Sequence, residues 1–204
     1  MRTIVLASSN KHKIKEFKDL FPNNNILSLN DINYFEEIEE DGETFFDNAL
    51  IKAKTIHKYL KEINLEVAVI ADDSGLCVDA LDGEPGVYSA RYAGNHGDNQ
   101  ENRAKLLSKL EGKNNRKASF ICALIEYFPN GDCLYVQGTT EGSILENEIG
   151  DSSFGYDCLF YSNDLEKAFG EASLEEKNKV SHRARAIKKL IEEEKKYFAT
   201  INKK

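Results

Sequence analysis

Short apolar runs alternate with amphipathic segments along the first part of the chain. The run "RTIVLAS" predicts a β-strand, and the following "NKHKIKEFKDLF" predicts a helix on which Ile14, Phe17 and Phe21 recur at helical spacing. After a short extended segment, "NILSL", a second helix is predicted near residues 44–60. Its apolar side contains Phe46, Ala49, Leu50, Ala53, Ile56 and Leu60. The lysines expected mainly off that side are Lys52, Lys54, Lys58 and Lys61.

Two adjacent aspartates follow the next apolar run. Residues 67–71 are rich in β-branched side chains and predict a strand that is covered on both faces. Asp72 and Asp73 are expected at its C-terminal end, which is where open α/β sheets bind ligands. The alternative is that Asp72, Asp73 and Ser74 only form a turn before Gly75. This stretch alone favours neither interpretation.

The rest of the chain predicts a helix, a hairpin and a helical end. Asp98 and Glu101 have the spacing of a capping box at the start of a helix. The strands "KASFICALIEYF" and "CLYVQGTTEG" flank the turn "PNGD". Ser173 and Glu176 form a second predicted capping box, and a final helix begins near Ser181. This order predicts an α/β fold with a mixed sheet, and the length predicts a single domain over residues 1–204.

Composition and charge exclude several classes of protein. No apolar run approaches the length of a membrane span, and the apolar stretch at the start is too short for a signal peptide. A cytoplasmic protein without a membrane partner is therefore expected. The formal net charge of −8 argues against nucleic acid as a partner, because such binding depends on basic surface. The four cysteines lack CxxC spacing, so neither a disulfide framework nor a zinc site is predicted.

Two polar clusters are candidates for binding phosphate and metal. The first lies between the opening strand and its helix and comprises Ser8, Ser9, Asn10, Lys11, His12 and Lys13. The free N–H groups at a helix start, together with Lys13, would bind an anion, although ordinary helix capping explains the same residues. The second cluster is the acidic loop of residues 36–43, most of which is expected to face solvent. One or two of its glutamates could share Mg²⁺ with Asp73, because this ion prefers carboxylate oxygens.

Two further clusters are candidates for binding a base. In "SFGYD", residues 153–157, glycine permits an unusual backbone path, and Phe154 and Tyr156 offer rings for stacking beside Asp157. Packing of both rings in the core is the alternative. The other cluster lies in "EEKNKVSHRARA" and comprises Lys177, His182 and Arg183. For these residues, an ordinary helix surface is the alternative.

Five segments together resemble the successive motifs of the inosine triphosphate pyrophosphatase family. They are "LASSNKHKIKEF", "EEDGETFFDNALIKAK", "IADDSGLCVDALDGEPGVYSARYAG", "SFGYDCLFY" and "EEKNKVSHRARA", and they extend over nearly the whole chain. The resemblance implies an elongated mixed sheet with flanking helices, two lobes around a central nucleotide cleft, and a homodimer. It also implies Mg²⁺-dependent hydrolysis of purine nucleoside triphosphates such as ITP, dITP and XTP to the monophosphate and pyrophosphate, which cleanses the nucleotide pool.

The resemblance further implies a role for each candidate residue. Asp73 would be the general base and a metal ligand, with Asp72 beside it and Glu40 as the second metal ligand. Residues 8–13 and Lys52 would hold the phosphates, and Lys13 would also assist catalysis. The residues near the remainder of the nucleotide would be Ser74, Phe154, Gly155, Tyr156, Asp157, Lys177, His182 and Arg183.

Two other functions fit parts of the pattern. A Maf-like nucleotide pyrophosphatase has a similar opening Leu-Ala-Ser, but the arginine pair that follows it there is absent here. A non-catalytic nucleotide sensor is disfavoured because Asp73, a loop glutamate and Lys13 are all present. The chain departs from the resembled family at two places, since Ser8-Ser9-Asn10 replaces Thr-Gly-Asn and Cys158 replaces a common proline.

Overall fold

The computed structural model describes residues 1–94, 97–151 and 154–201, so Ser153 of the "SFGYD" segment lies outside the described residues. Within these ranges the strands form one open sheet in the order β2-β1-β3-β4-β5-β6-β7. The strands are β1 (Thr3–Leu6), β2 (Asn25–Leu27), β3 (Ala68–Val78), β4 (Lys117–Tyr127), β5 (Cys133–Ile144), β6 (Phe160–Ser162) and β7 (Lys167–Ala168). The α-helices are α1 (Lys11–Leu20), α2 (Phe45–Glu62), α3 (Asn99–Lys109), α4 (Leu174–Val180) and α5 (His182–Ile201).

The sheet is mixed because its strands are connected in two ways. β1 pairs in parallel with β2 and with β3, and α1 forms the crossover from β1 to β2. β6 is antiparallel to both β5 and β7. The prediction of a mixed α/β sheet with flanking helices is therefore confirmed. β6 and β7 were not predicted, because strands of three and two residues carry no recognisable period.

The chain divides into two compact units. The first unit comprises Met1–Asp73, Ala123–Gln137 and Ala186–Lys204. Its core includes Val5 and Val69 of the sheet, and the predicted apolar side of α2 packs there through Ala49, Ala53, Ile56 and Leu60.

The second unit comprises Ser74–Cys122 and Gly138–Arg185. Its core joins Phe120 and Phe160 of the strands to Leu106 of α3. The rings of Phe120 and Phe160 are in contact, with centroids 4.6 Å apart. The single domain and the nucleotide cleft of two lobes stay predictions.

Helix capping follows the predicted signals. At the start of α3, half of the predicted capping box forms, because the side chain of Asp98 accepts a hydrogen bond from the backbone N–H of Glu101 at 3.1 Å and the reciprocal bond is missing. Ser173 and Glu176 form a reciprocal capping box at the start of α4. The four cysteines are free thiols, as expected. In the part of the chain that the structure describes, every helix is too short or too polar to cross a membrane.

The extent of β3 corrects the prediction that this strand ends before the two aspartates. β3 runs for 11 residues, Ala68–Val78, so Asp72 and Asp73 lie inside the strand and the turn alternative is wrong. The neighbouring parallel strand is the one that ends here, because Leu6, its last residue, lies opposite Ile70. Asp72 and Asp73 therefore begin just beyond the end of β1, where the loop to α1 leaves the sheet.

Candidate active site

Asp72 and Asp73 are buried neighbours on β3 that make different contacts. Their exposed fractions are 1% and 8%, and the next residue, Ser74, is half-buried. Successive residues of a strand project to opposite faces. Accordingly, Lys13 of α1 places Nζ 3.1 Å from Oδ2 of Asp72. Lys52 of α2 places Nζ 3.6 Å from Oδ1 of Asp73, so the two aspartates contact different lysines.

Lys52 is buried, which corrects the expectation that it lies off the apolar side of α2. Its exposed fraction is 7%, whereas the other three predicted lysines of this helix are exposed. Nζ of Lys52 is 2.9 Å from Oε2 of Glu40 in the acidic loop and 3.6 Å from Asp73. Burial of an ammonium group requires such partners. Lys52 therefore joins one glutamate of the acidic loop to the aspartate of β3.

Asn48 belongs to this cluster although it was not predicted as a site residue. It is fully buried on α2, and its Nδ2 donates to Oδ2 of Asp73 at 3.1 Å. Its Oδ1 accepts from the backbone N–H of Gly42 at 2.9 Å. One amide group thus orients the aspartate and holds the acidic loop. The available signal was a polar residue next to the apolar stripe, four residues before Lys52 and hence on the same side of the helix.

The loop between β1 and α1 is organised by capping. Oδ1 of Asn10 accepts from the backbone N–H groups of His12 at 2.9 Å and Lys13 at 3.2 Å. Oγ of Ser8 accepts from the backbone N–H of Asn10 at 3.2 Å. The capping interpretation is confirmed, and phosphate binding by the same residues stays a prediction. The exposed residues of this loop are Ser9, Asn10, Lys11 and His12.

Burial and charge act in opposite directions on the acid and the lysine of this cluster. Burial raises the pKa of Asp73, and the positive charges of Lys52 and Lys13 offset only part of that rise. Burial lowers the pKa of Lys52, but the charges of the surrounding carboxylates outweigh burial and leave this pKa above its ordinary value. Asp73 is therefore a stronger proton acceptor than an exposed aspartate, next to a lysine that keeps its charge.

The side chains of the segment Phe154–Asp157 contact other residues of the second unit. Tyr156 is 4% exposed, and its hydroxyl donates to the carbonyl oxygen of Ser89 at 2.9 Å. Nζ of Lys177 lies 2.5 Å from Oδ2 of Asp157 and 5.7 Å from the ring centroid of Phe154. Phe154 is half-buried. Of the two predicted stacking rings, Phe154 is therefore the accessible one, while Tyr156 packs in the core as the alternative interpretation predicted.

The start of α5 places His182 and Arg183 within the second unit. Oγ of Ser181 accepts from the backbone N–H of Ala184 at 3.2 Å and caps the helix. The ring of His182 stacks on Phe120, with centroids 4.9 Å apart and an interplanar angle of 16°. Arg183 is 3% exposed. The alternative of an ordinary solvated helix surface is therefore wrong for these two residues.

Two carboxylates of the first unit have the chemistry to hold a divalent cation. Asp73 and Glu40 both face the ammonium group of Lys52, so the cluster already accommodates positive charge between them. Mg²⁺ typically takes one or two protein carboxylates and completes its shell with water and phosphate oxygens. Across residues 1–94, 97–151 and 154–201, no group of three or more His, Cys, Asp or Glu side chains is arranged for a metal ion. A cation held by Asp73 and Glu40 would complete its shell with water and the oxygens of a phosphorylated ligand.

Comparisons with known proteins cover nearly the whole chain. A family model described as the Ham1 family matches residues 4–193. A dITP/XTP pyrophosphatase of Bacillus anthracis is 47% identical over 204 residues, which cover 97% of this chain and 98% of the relative. One of Clostridium perfringens is 46% identical over 195 residues, which cover 93% and 96%. The structure of the Staphylococcus aureus Ham1 protein matches with a TM-score of 0.81 at 40% identity, over 93% of this chain and 96% of that chain.

Proposed function

Since the chain belongs to the Ham1 family, we propose that it hydrolyses non-standard purine nucleoside triphosphates such as dITP, ITP and XTP. The products are the nucleoside monophosphate and pyrophosphate. One observation carries the proposal, namely that Asp73 is a buried acid of raised pKa with a charged lysine at 3.6 Å and an amide donor at 3.1 Å. A carboxylate in this setting is suited to deprotonating water beside a polyanion.

Asp73 acts in this proposal as the general base. Asn48 donates to Oδ2, which fixes the orientation of the carboxylate, and the raised pKa makes it an effective proton acceptor. Lys13 and Lys52 counter the negative charge of the phosphates, which would otherwise repel the attacking water. Asp73 and Glu40 would hold Mg²⁺, which would supply Lewis-acid stabilisation of the phosphoryl oxygens.

In this proposal the base is bound by Phe154, Asp157, His182 and Arg183. The half-buried ring of Phe154 stacks on the base, and Asp157, fixed by Lys177, is the adjacent polar group. Inosine and xanthosine carry a 6-keto oxygen where adenosine carries an amino group. Donors of His182 or Arg183 that face this oxygen favour the keto form, because an amino group leaves them unsatisfied.

Assembly and location follow the family resemblance. We propose a cytoplasmic homodimer. Light scattering behind size-exclusion chromatography measures the assembly directly. A dimer would give about twice the chain mass of 23.0 kDa, whereas a mass near that of one chain contradicts the proposal.

A panel of nucleotides tests the proposed function. Release of pyrophosphate is measured with ITP, dITP, XTP, GTP and ATP, for the wild type and for Asp73→Asn. The proposal predicts that ITP, dITP and XTP exceed ATP by orders of magnitude in kcat/KM, and GTP by a clear margin. Equal use of all purine nucleotides would favour a general phosphohydrolase. Tight binding of ITP without turnover would favour the sensor.

A further inference from the structure

A buried arginine of α3 is bonded to the backbone of the segment Phe154–Asp157. The side chain of Arg103 is 6% exposed. Its Nη1 donates to the carbonyl oxygen of Gly155 at 2.9 Å, and its Nε donates to Oε1 of Glu148 at 2.7 Å. The guanidinium group therefore connects a carboxylate to the middle of the segment that we assign to the base.

Other polar residues of α3 are used in the same way. Asn102, which is 1% exposed, accepts from the backbone N–H of Ala93 at 2.6 Å and donates to the carbonyl oxygen of Ala90 at 3.2 Å. Lys105 donates to the carbonyl oxygen of Tyr92 at 2.5 Å. A helix that directs polar side chains to neighbouring backbone groups acts as an anchor for loops. In this respect, Arg103 serves the 154–157 segment as Asn102 serves the 90–93 segment.

The conformation of Gly155 explains why an external anchor is needed. Its φ is +52°, in the left-handed region that favours glycine, and a Cβ at this position would meet no atom within 4 Å. Backbone conformation, and not lack of space, thus requires the glycine. Within the segment, the backbone N–H of Asp157 donates a hydrogen bond to the carbonyl oxygen of Phe154. This hydrogen bond is long, at 3.3 Å. The Arg103 bond fixes the peptide group between these two residues.

We propose that Arg103 is a positioning residue for base recognition. By holding the carbonyl oxygen of Gly155, it sets the directions of the Phe154 ring and the Asp157 carboxylate on either side. This inference rests on the proposed function. Because Arg103 acts through the backbone of the segment, its loss weakens binding of the base and leaves the chemical step and phosphate binding intact.

The test compares Arg103→Met with Lys105→Met. Both changes remove a cation of α3 that donates to a backbone carbonyl, but only Arg103 contacts the base segment. Four quantities are measured: the Kd of inosine monophosphate, the KM and kcat for ITP, and the Ki of inorganic tripolyphosphate, which has no base. Arg103→Met should raise the Kd and KM about tenfold, the value of one lost buried hydrogen bond. It should leave kcat and the tripolyphosphate Ki near wild type, and Lys105→Met should change none of them.

The conservative variant Arg103→Lys separates positioning from folding. Lysine keeps the positive charge next to Glu148 but lacks the planar guanidinium group that donates to Glu148 and to Gly155 at once. An intermediate loss of inosine monophosphate affinity is therefore expected. If Arg103→Met fails to fold by circular dichroism, Arg103→Lys decides the question. Unchanged inosine monophosphate binding overturns the inference, and so does an equal loss for tripolyphosphate. If the wild type hydrolyses no ITP, the proposed function fails, and the inosine monophosphate titration still tests Arg103.

Discussion

Two buried acidic sites of the first unit differ in how many cations they contain. At the candidate active site, two lysines, Lys13 and Lys52, contact three carboxylates, those of Asp72, Asp73 and Glu40. At the other site, Glu126 of β4 and Glu194 of α5 share the single guanidinium group of Arg2, whose Nη2 lies 2.8 Å and 2.5 Å from the two carboxylates. Both sites lie on or beside the central strands, and both bury carboxyl groups. Their chemistry differs because their charge balance differs.

The charge balance decides whether a buried acid keeps its proton. Glu126 is fully buried, and burial together with Glu194 raises its pKa to about 8. One cation cannot compensate for both the buried carboxylate of Glu126 and the half-buried carboxylate of Glu194, so the pair retains a proton at neutral pH. At Asp73 the charge of Lys52 opposes the effect of burial and keeps the ionised form accessible. Two lysines among three carboxylates leave Asp73 as a proton acceptor, whereas one arginine between two carboxylates gives a structural link.

The largest effect is expected from removing the metal, which should affect only the active-site acids. Chelation of divalent cations should abolish ITP hydrolysis, because the phosphates and the two carboxylates of Asp73 and Glu40 then lose their shared cation. The thermal unfolding midpoint without nucleotide should stay unchanged, since the Glu126 site contains its own arginine. Added Mg²⁺ should restore turnover. Hydrolysis that resists chelation would contradict the metal assignment.

The same change from carboxylate to amide should separate the two sites. Asp73→Asn cannot accept a proton, so kcat for ITP should fall by roughly 10² to 10⁴ fold, as for the loss of a general base. Glu126→Gln is the matched control and should leave kcat at the wild-type value. Asp72→Asn is measured in parallel, because adjacent carboxylates can exchange roles. Near-normal turnover of Asp73→Asn at saturating Mg²⁺ refutes its role as the base.

Removing the cation next to Asp73 should shift the pH dependence of activity. Protonated Asp73 is inactive as a base, so kcat/KM should fall as the pH falls through its pKa, which lies above the ordinary 3.8. Lys52→Met removes a charge that lowers this pKa. The acidic fall of the pH profile of kcat/KM, its acid limb, should therefore move to higher pH. Lys54→Met, an exposed change on the same helix, should leave the limb in place. If kcat/KM of Lys52→Met falls over the same acidic pH range as in the wild type, the pKa of Asp73 does not determine that fall.

The smallest effect on activity, and the clearest effect on stability, is expected at Glu126. The raised pKa in the folded state means that stability from protonated Glu126 is complete below its unfolded value of about 4.5 and is lost as the pH rises to about 8. Relative to Glu126→Gln, the wild type should lose at most about 1.4 kcal/mol of unfolding free energy per pH unit across this window. Urea unfolding at several pH values measures the difference. Glu192→Gln, an exposed change on α5, should show no such trend, and a flat difference for Glu126→Gln would contradict the shared proton.

The family resemblance and the main elements could be predicted from the sequence because their signals are local. The apolar runs, the capping residues and the adjacent Asp72 and Asp73 all lie within a few residues of each other, and the Ham1 family match confirms the family. The end of β3 could not be predicted, since a strand continues as long as it has a neighbour to pair with. Burial of Lys52 was also missed, because its partners lie in the acidic loop and on β3.

Long-range partners limited the prediction of the remaining polar residues. Arg2 and Glu126 are 124 positions apart, and Arg103 and Gly155 are 52 positions apart. The residues next to Glu126 and Arg103 in the sequence do not indicate that either side chain is buried. For Asn48 the sequence contained a partial signal, because this polar residue lies beside the apolar stripe of α2. Its role depends on contact with Asp73, which only the packing of α2 on β3 creates.

The identity of the products tests the central claim most directly. ITP is incubated with the wild type and Mg²⁺, and the phosphorus species are resolved by ³¹P NMR, with Asp73→Asn as the control for contaminating enzymes. The account predicts inosine monophosphate and pyrophosphate in equal amounts, with neither inosine diphosphate nor orthophosphate as a primary product, and almost no conversion by Asp73→Asn. Formation of inosine diphosphate and orthophosphate, or equal conversion by the variant, would contradict it.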